Sequence, residues 1–146
     1  MAITSAVCNS FKQEILEAEH NFTASSGNTF NLALYTSSAT INKNPTAYSA
    51  TNEISNTSGS AYSAKGNALT SVTPVFDSDT AVCDFANTSW TSASFTANGC
   101  LIFNDSHSSD AAVCTIAFGG DKTVTSGTFT IEFPAAAAST AIIQIA

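Results

Sequence analysis

Two histidines stand in the chain, His20 and His107. His107 lies in NDSHSSD, between Asp105 and Asp110 and beside three serines. Hydrolysis by a serine nucleophile needs Ser, His and an acid in one defined geometry. Serine is so abundant here that one near a histidine carries no information. A cluster of Asn, Asp and Ser is turn chemistry, so NDSHSSD reads as a solvated hairpin tip. His20 follows the helical pattern described below, where a cation suits the helix C-terminus, and that role is structural. Asp77 and Asp79 in FDSDT offer two hard oxygen ligands. The D-x-[DN]-x-[DN]-G loop and the late Glu of a calcium site are absent. Gly119-Gly120-Asp121-Lys122 lacks the G-x-x-x-x-G-K-[ST] spacing of a phosphate loop and leads towards a strand. It reads as a turn, and so does Thr125-Ser126-Gly127-Thr128.

The remaining candidates have plainer readings. Tyr35, Tyr48, Tyr62 and Trp90 could form a platform for sugars, although packing is the commoner fate of such rings. The N-x-[ST] triplets at Asn21, Asn56, Asn87 and Asn104 are expected by chance in a chain this rich in Asn, Ser and Thr. Cys8, Cys83, Cys100 and Cys114 form no C-x-x-C pair and stand clear of zinc-finger histidine spacing. Three of them lie in apolar runs, AVCDF, NGCLIF and AVCTIAF, where a thiol behaves as a small hydrophobe. Free buried thiols and assembly in a reducing cytoplasm are expected, with a cross-strand disulfide as the rival. No residue is assigned a catalytic, cofactor-binding or metal-ligating role, and an enzyme is not expected.

Composition excludes further classes. The 146 residues carry a net charge of −7, no arginine, and four lysines at Lys12, Lys43, Lys65 and Lys122. Nucleic-acid binding needs clustered cations to neutralise phosphates, so DNA and RNA are not expected partners. The same deficit disfavours an anionic membrane surface, and no apolar run reaches the length of a spanning helix. MAITSAVCNSFKQEILEAEH lacks a basic leader and a long apolar stretch, so it does not read as a secretory signal. Charged residues make up only 10% of the chain, and Ser, Thr and Asn supply the rest of its polarity. Such a surface has few long side chains to immobilise and is easy to bury against a neighbour.

The elements that must position these residues are mostly strands. Val7, Phe11, Ile15 and Ala18 recur at helical spacing, which predicts a helix over 4–19 capped by Thr4 or Ser5. After residue 28 the pattern is β. Runs at 30–34, 68–76, 81–86, 95–103, 111–118, 129–133 and 141–145 are separated by Ser, Gly, Asn and Asp. Phe129, Ile131 and Phe133 alternate with Thr130 and Glu132, which predicts that the first three share a buried face. Residues 36–67 are long and polar, with isolated Ile41, Tyr48, Ile54 and Tyr62. They predict either one or two short strands around 48–54, or an arm that gains order on another subunit. The expected fold is mainly β: one antiparallel β-sandwich domain over 1–146, jelly-roll or Ig-like, with one N-terminal α-helix.

The phrases FKQEIL, FNLALYTSSAT, TAYSATNEIS, SFTANGCLIFN, AVCTIAFGGDKTVTSGTFTIEFP and AIIQIA, in this order, give the chain a family likeness. It resembles small virion structural proteins of tailed bacteriophages, common among marine phages. One departure is Asn98, where the resemblance implies a basic residue. The resemblance implies a structural role in a virus particle assembled in the host cytoplasm. It implies other virion proteins, the major capsid protein or tail components, as partners, and the polar surface and unprotected strand edges point to a homo-oligomer. A capsid decoration (cement) protein is the first expectation, since low charge and no basic patch suit the outside of a head. A tail adaptor, tube-associated or fibre-base protein is the second, although the chain has neither the repeats nor the heptads of a fibre shaft. A receptor- or glycan-binding module is the third.

Overall fold

The computed structural model describes residues 2–146. Among them the chain forms β1 (Ala6–Val7), α1 (Asn9–Glu14), β2 (Phe30–Tyr35), β3 (Asn67–Ala68), β4 (Ser71–Asp77), β5 (Thr80–Phe85), β6 (Thr88–Asn104), β7 (Ala111–Ile131) and β8 (Ile143–Ile145). These strands make two antiparallel sheets, ordered β1-β7-β6-β2-β3 and β4-β5-β8. The fold is mainly β, two antiparallel sheets with one short N-terminal helix, as the alternation predicts. The apolar runs of β2, β6 and β7 supply Phe30, Leu32, Leu34, Leu101, Ile102, Phe103 and Val113, all buried. Full burial of such a side chain contributes about 1.5–3 kcal/mol. Phe85 of β5 joins the two sheets, with its ring 5.8 Å from Phe30 and 5.7 Å from Phe133. No helix among the described residues is long and apolar enough to cross a membrane.

Three expectations are corrected. The runs 111–118 and 129–133 are not separate strands: Ala111–Ile131 is the single strand β7, while the run 95–103 lies in its partner β6. They belong to one hairpin of β6 and β7, paired from Thr88↔Ile131 to Asn104↔Ala111. Gly119-Gly120 and Thr125–Thr128 therefore do not reverse the chain. They are irregularities inside β7, where the register slips between Ala97 and Gly99 and again around Ala93. Gly119 at φ 74° and Gly120 at φ 142° take backbone angles that L side chains avoid, so the chain can bulge and resume pairing. Bulges of this kind twist a long hairpin without ending it. The run 68–76 is also divided: β3 pairs with β2, whereas β4 belongs to the other sheet. Pro74 lies in β4, an edge strand, where its missing N–H is tolerated.

The helix is much shorter than 4–19. Ala6 and Val7 pair with Thr115 and Cys114 of β7, so these residues join the sheet. The Thr115 hydroxyl donates to the Thr4 carbonyl at 2.7 Å, which holds this segment extended. The N-cap is Cys8, whose N–H donates to Val113 O and whose side chain makes no capping bond. Ala18 adopts φ 62° and ends the helical turns. A two-turn helix is marginal by itself, so sheet bonding wins at its start and packing of Phe11 anchors the rest.

The 36–67 segment is not a free arm. Ile41 bridges Ile3, Ala47 bridges Ala111 and Glu53 bridges Tyr35. Ile54 and Tyr62 are buried in the chain's own core. Beyond β3, the edge of β2 at Leu34 would be unpaired, and this segment covers it. The Tyr62 hydroxyl accepts the Leu34 N–H at 2.9 Å, and Ile54 N–H donates to the Leu34 carbonyl. One side chain and one backbone N–H thus do what a further strand would have done.

Candidate functional site

The hairpin tip at 105–110 gathers the polar residues singled out in the sequence. The Lys65 ammonium donates to Asp105 at 2.8 Å and pairs with Asp110 at 2.9 Å. These two partners hold its pKa well above the usual lysine range. His107 Nδ1 lies 2.9 Å from Ser109 Oγ, and its Nε2 lies 3.5 Å from Glu19. Serine, imidazole and carboxylate thus stand in the order of a hydrolytic chain. The Ser109 backbone N–H also donates to Nδ1 at 3.2 Å, so that lone pair already closes the turn. The 3.5 Å contact to Glu19 is longer than an ordinary hydrogen bond and holds the ring only weakly. The geometry is that of a braced turn.

His20 sits behind this tip and is not at the helix end. Its side chain is fully buried, and Nε2 is 2.9 Å from Glu14. The Asn104 amide approaches its Nδ1 at 3.1 Å, while Asn104 Oδ1 accepts from Ser106 N–H. The amide nitrogen can only donate, so Nδ1 accepts and Nε2–H faces the Glu14 carboxylate. His20 stacks on His107 at 6.3 Å and packs on Phe11. Its role is structural, through packing and hydrogen bonds and not through a helix dipole.

Sequence reasoning missed Glu53. It accepts the hydroxyls of Tyr48 and Tyr62 and the Lys65 N–H, the last two at 2.7 Å. The Tyr35 hydroxyl donates to Ser49 O at 2.6 Å. Burial, reinforced by Glu53, pushes the Tyr48 phenol up to about 12, and burial pushes Tyr35 and Tyr62 higher. The available signal was that Lys43, Glu53 and Lys65 are the only charges in 36–67, two of them flanking tyrosines.

The other candidates are separated or enclosed. Asp77 accepts the Ala138 N–H at 2.7 Å, whereas Asp79 is exposed at the β4–β5 turn. No group of three or more His, Cys, Asp or Glu among the described residues is placed to hold a metal. In the glycine element, Asp121 accepts from the Asn98 amide at 2.8 Å. Asn98, where the resemblance implies a basic residue, thus meets an acid through a neutral donor. Tyr35, Tyr62 and Trp90 are buried and Tyr48 stacks on Phe103 at 4.8 Å, so these rings form no open platform for a sugar. Asn104, one of the four N-x-[ST] positions, is fully buried. All four cysteines are free and buried. Burial raises the thiols of Cys8 to about 11 and of Cys83 and Cys100 to about 12, and lifts Cys114 as well.

One opening on the surface is largely apolar. A groove of about 470 Å³ opens between α1 and the three-stranded sheet. Phe11, Ile15 and Ala18, three of the four residues of the stripe read from the sequence, form one wall, and Pro74, Ala81, Ile143 and Ile145 form the other, while Val7 lies in β1. Register explains why this groove is open. Cys83 and Phe85 face the core from β5, so Ala81, two residues on, shares that face. Phe76 and Ile145 lie directly opposite Ala81 on either side. The core face of this sheet therefore runs out past the rest of the molecule. Its last row leaves Phe76 80% and Ile145 57% exposed, and Leu16 beside the other wall is 87% exposed.

Comparison of the chain with protein-family models, curated proteins and solved structures finds no match.

Proposed function

We propose that this chain is a non-enzymatic structural protein of a tailed-phage particle, and specifically a capsid decoration protein that ties neighbouring subunits of the head together. One observation carries the assembly part of this reading. The polar groups that could have done chemistry, at the hairpin tip and around Glu53, are spent on bracing the chain itself, while the groove and its exposed apolar rim face outwards. Exposed apolar surface of this kind marks contact with a neighbour. The virion part rests on the resemblance of the strand phrases. The partners in this reading are other virion proteins and further copies of the chain.

The test is mass spectrometry with copy-number quantification on purified particles, with heads and tails separated. Hundreds of copies in the head fraction are expected. A few copies in the tail fraction would move the protein to a tail adaptor. Absence from both fractions would end the virion reading.

A further inference from the structure

We propose that the groove between α1 and the β4-β5-β8 sheet is the docking site for an apolar segment, flanked by lysine or arginine residues, of a different protein of the same particle; this rests on the virion reading above. Three features of the structure argue for it. First, the groove is an unfinished core. Cys83 and Ile143 are buried by the chain itself, whereas the next row, Phe76, Ala81 and Ile145, has no apolar cover. An apolar side chain laid over that row would continue the sandwich interior.

Second, adding a strand along β4 is blocked. β4 and β8 are the two edges of this sheet; in β4 Pro74 lacks an N–H and the register slips between Val72 and Val75, and β8 is only three residues long. A continuous ladder cannot form along β4 and only a short one along β8, so recognition falls mainly to side chains.

Third, charge selects the occupant. None of the lining residues is Asp, Glu, Lys or Arg. Beside them along the chain stand Glu14, Glu17, Glu19, Asp77, Asp79 and Asp84, against the single cation Lys12. Asp84 is buried, Glu14 and Glu19 meet His20 and His107, Asp77 accepts from Ala138 N–H, and Glu17 and Asp79 are exposed. A second copy would bring the same acids and a net charge of −7 with no arginine. It would oppose like charges across the margin of the groove. A segment with Lys or Arg on both sides of its apolar residues matches both the uncharged floor and the acidic margin.

The experiment replaces Phe76 with photoreactive p-benzoylphenylalanine, and Thr123 on the exposed part of β7 as a control, and incorporates each chain into particles. Mass spectrometry of the particles reports first whether the chain is present, which tests the virion reading by itself. Irradiation and peptide mapping then identify what lies over the groove. The expected result is a cross-link from position 76, and not from 123, to an apolar segment of another particle protein with Lys or Arg on both sides. A cross-link to a second copy, to a segment flanked by acids, or none from an incorporated chain would overturn the proposal. Absence of the chain from particles would remove the virion reading and this partner with it. In a parallel arm, Ile145→Glu should lower incorporation by about tenfold, as for loss of an apolar anchor, while Thr123→Glu leaves it unchanged. A melting curve for each variant confirms folding. Equal incorporation of the two would also overturn the proposal.

Discussion

Tyr62 shows how single residues hold this fold. Its hydroxyl donates to Glu53 and accepts the Leu34 N–H at the point where β2 runs out of strand partners. Tyr62→Phe keeps the ring and removes both bonds, leaving a buried backbone donor and a carboxylate oxygen short of partners. An unsatisfied buried group costs about 1–3 kcal/mol. The denaturation midpoint should fall accordingly, and an unchanged midpoint would show that water replaces the hydroxyl. Lys65 is a contrasting case. It bridges Asp105 and Asp110, but its side chain is 40% exposed. Solvent screening limits such pairs, so Lys65→Met should cost no more than about 1 kcal/mol. A larger loss in the same assay would mean that the hairpin tip depends on the ammonium.

At the scale of elements, the β6–β7 hairpin and the 36–67 segment make separate predictions. The alternation over 129–133 is as read: Phe129, Ile131 and Phe133 share the inner face, while Thr130 and Glu132 are exposed. The inner face is half-buried, with Phe129 lying 5.0 Å from Phe95 and 6.1 Å from Trp90. Full truncation of a core Phe costs about 3–5 kcal/mol, and the partial exposure here lowers the expectation for Phe129→Ala to about 2 kcal/mol. Thr130→Ala should change little, and equal effects in thermal melts would refute the face assignment. The glycines form a second contrast. A Cβ at Gly66 would fall 1.8 Å from the Leu32 carbonyl oxygen, at φ 65°. Gly66→Ala must therefore push the 36–67 segment off β2. At Gly119 nothing lies within 4 Å, so only the φ of 74° opposes a side chain. Gly119→Ala should cost about 1–2 kcal/mol, the strain of one left-handed residue. Hydrogen exchange at Leu34 and Ile54 should rise in the first variant and not in the second.

For the whole molecule, the buried thiols and phenols set the response to alkali. Unfolded thiols ionise near 9, whereas burial holds those of the folded chain at about 11–12. Folded pKa values raised in this way add stability that is complete below pH 9. That stability is lost as the pH climbs through the folded values, because the unfolded chain releases its protons first. Tyr48, with its phenol raised from 10 to about 12, adds to the loss above pH 10. The denaturant midpoint should decline steadily above pH 9, and a flat profile to pH 11 would contradict the burial of these groups. The same burial predicts that a thiol reagent at pH 8 labels none of the four cysteines in the native chain and all four after denaturation.

The sequence by itself determined the class of fold, because period-two alternation and Ser/Gly/Asn/Asp punctuation are local consequences of having one buried face per strand. It also determined the inner face of 129–133 and the apolar stripe of Phe11, Ile15 and Ala18, whereas the choice between free thiols and a cross-strand disulfide was decided by the fold, which keeps all four cysteines free. Tertiary structure decided where strands end. Gly119-Gly120 has the same local chemistry as a turn, and only the partner strand shows that it is a bulge within β7. Ala6 and Val7 fit a helix by spacing and are drawn into the sheet by long-range bonds to β7. Tertiary structure also decided which polar residues meet. Glu53, Tyr62 and Leu34 are brought together by the return of the 36–67 segment to the edge of β2. The groove exists because a core-facing register in β5 continues one row beyond the layer that would cover it. Such meetings depend on contacts between residues far apart in the chain, and a local pattern carries no trace of them.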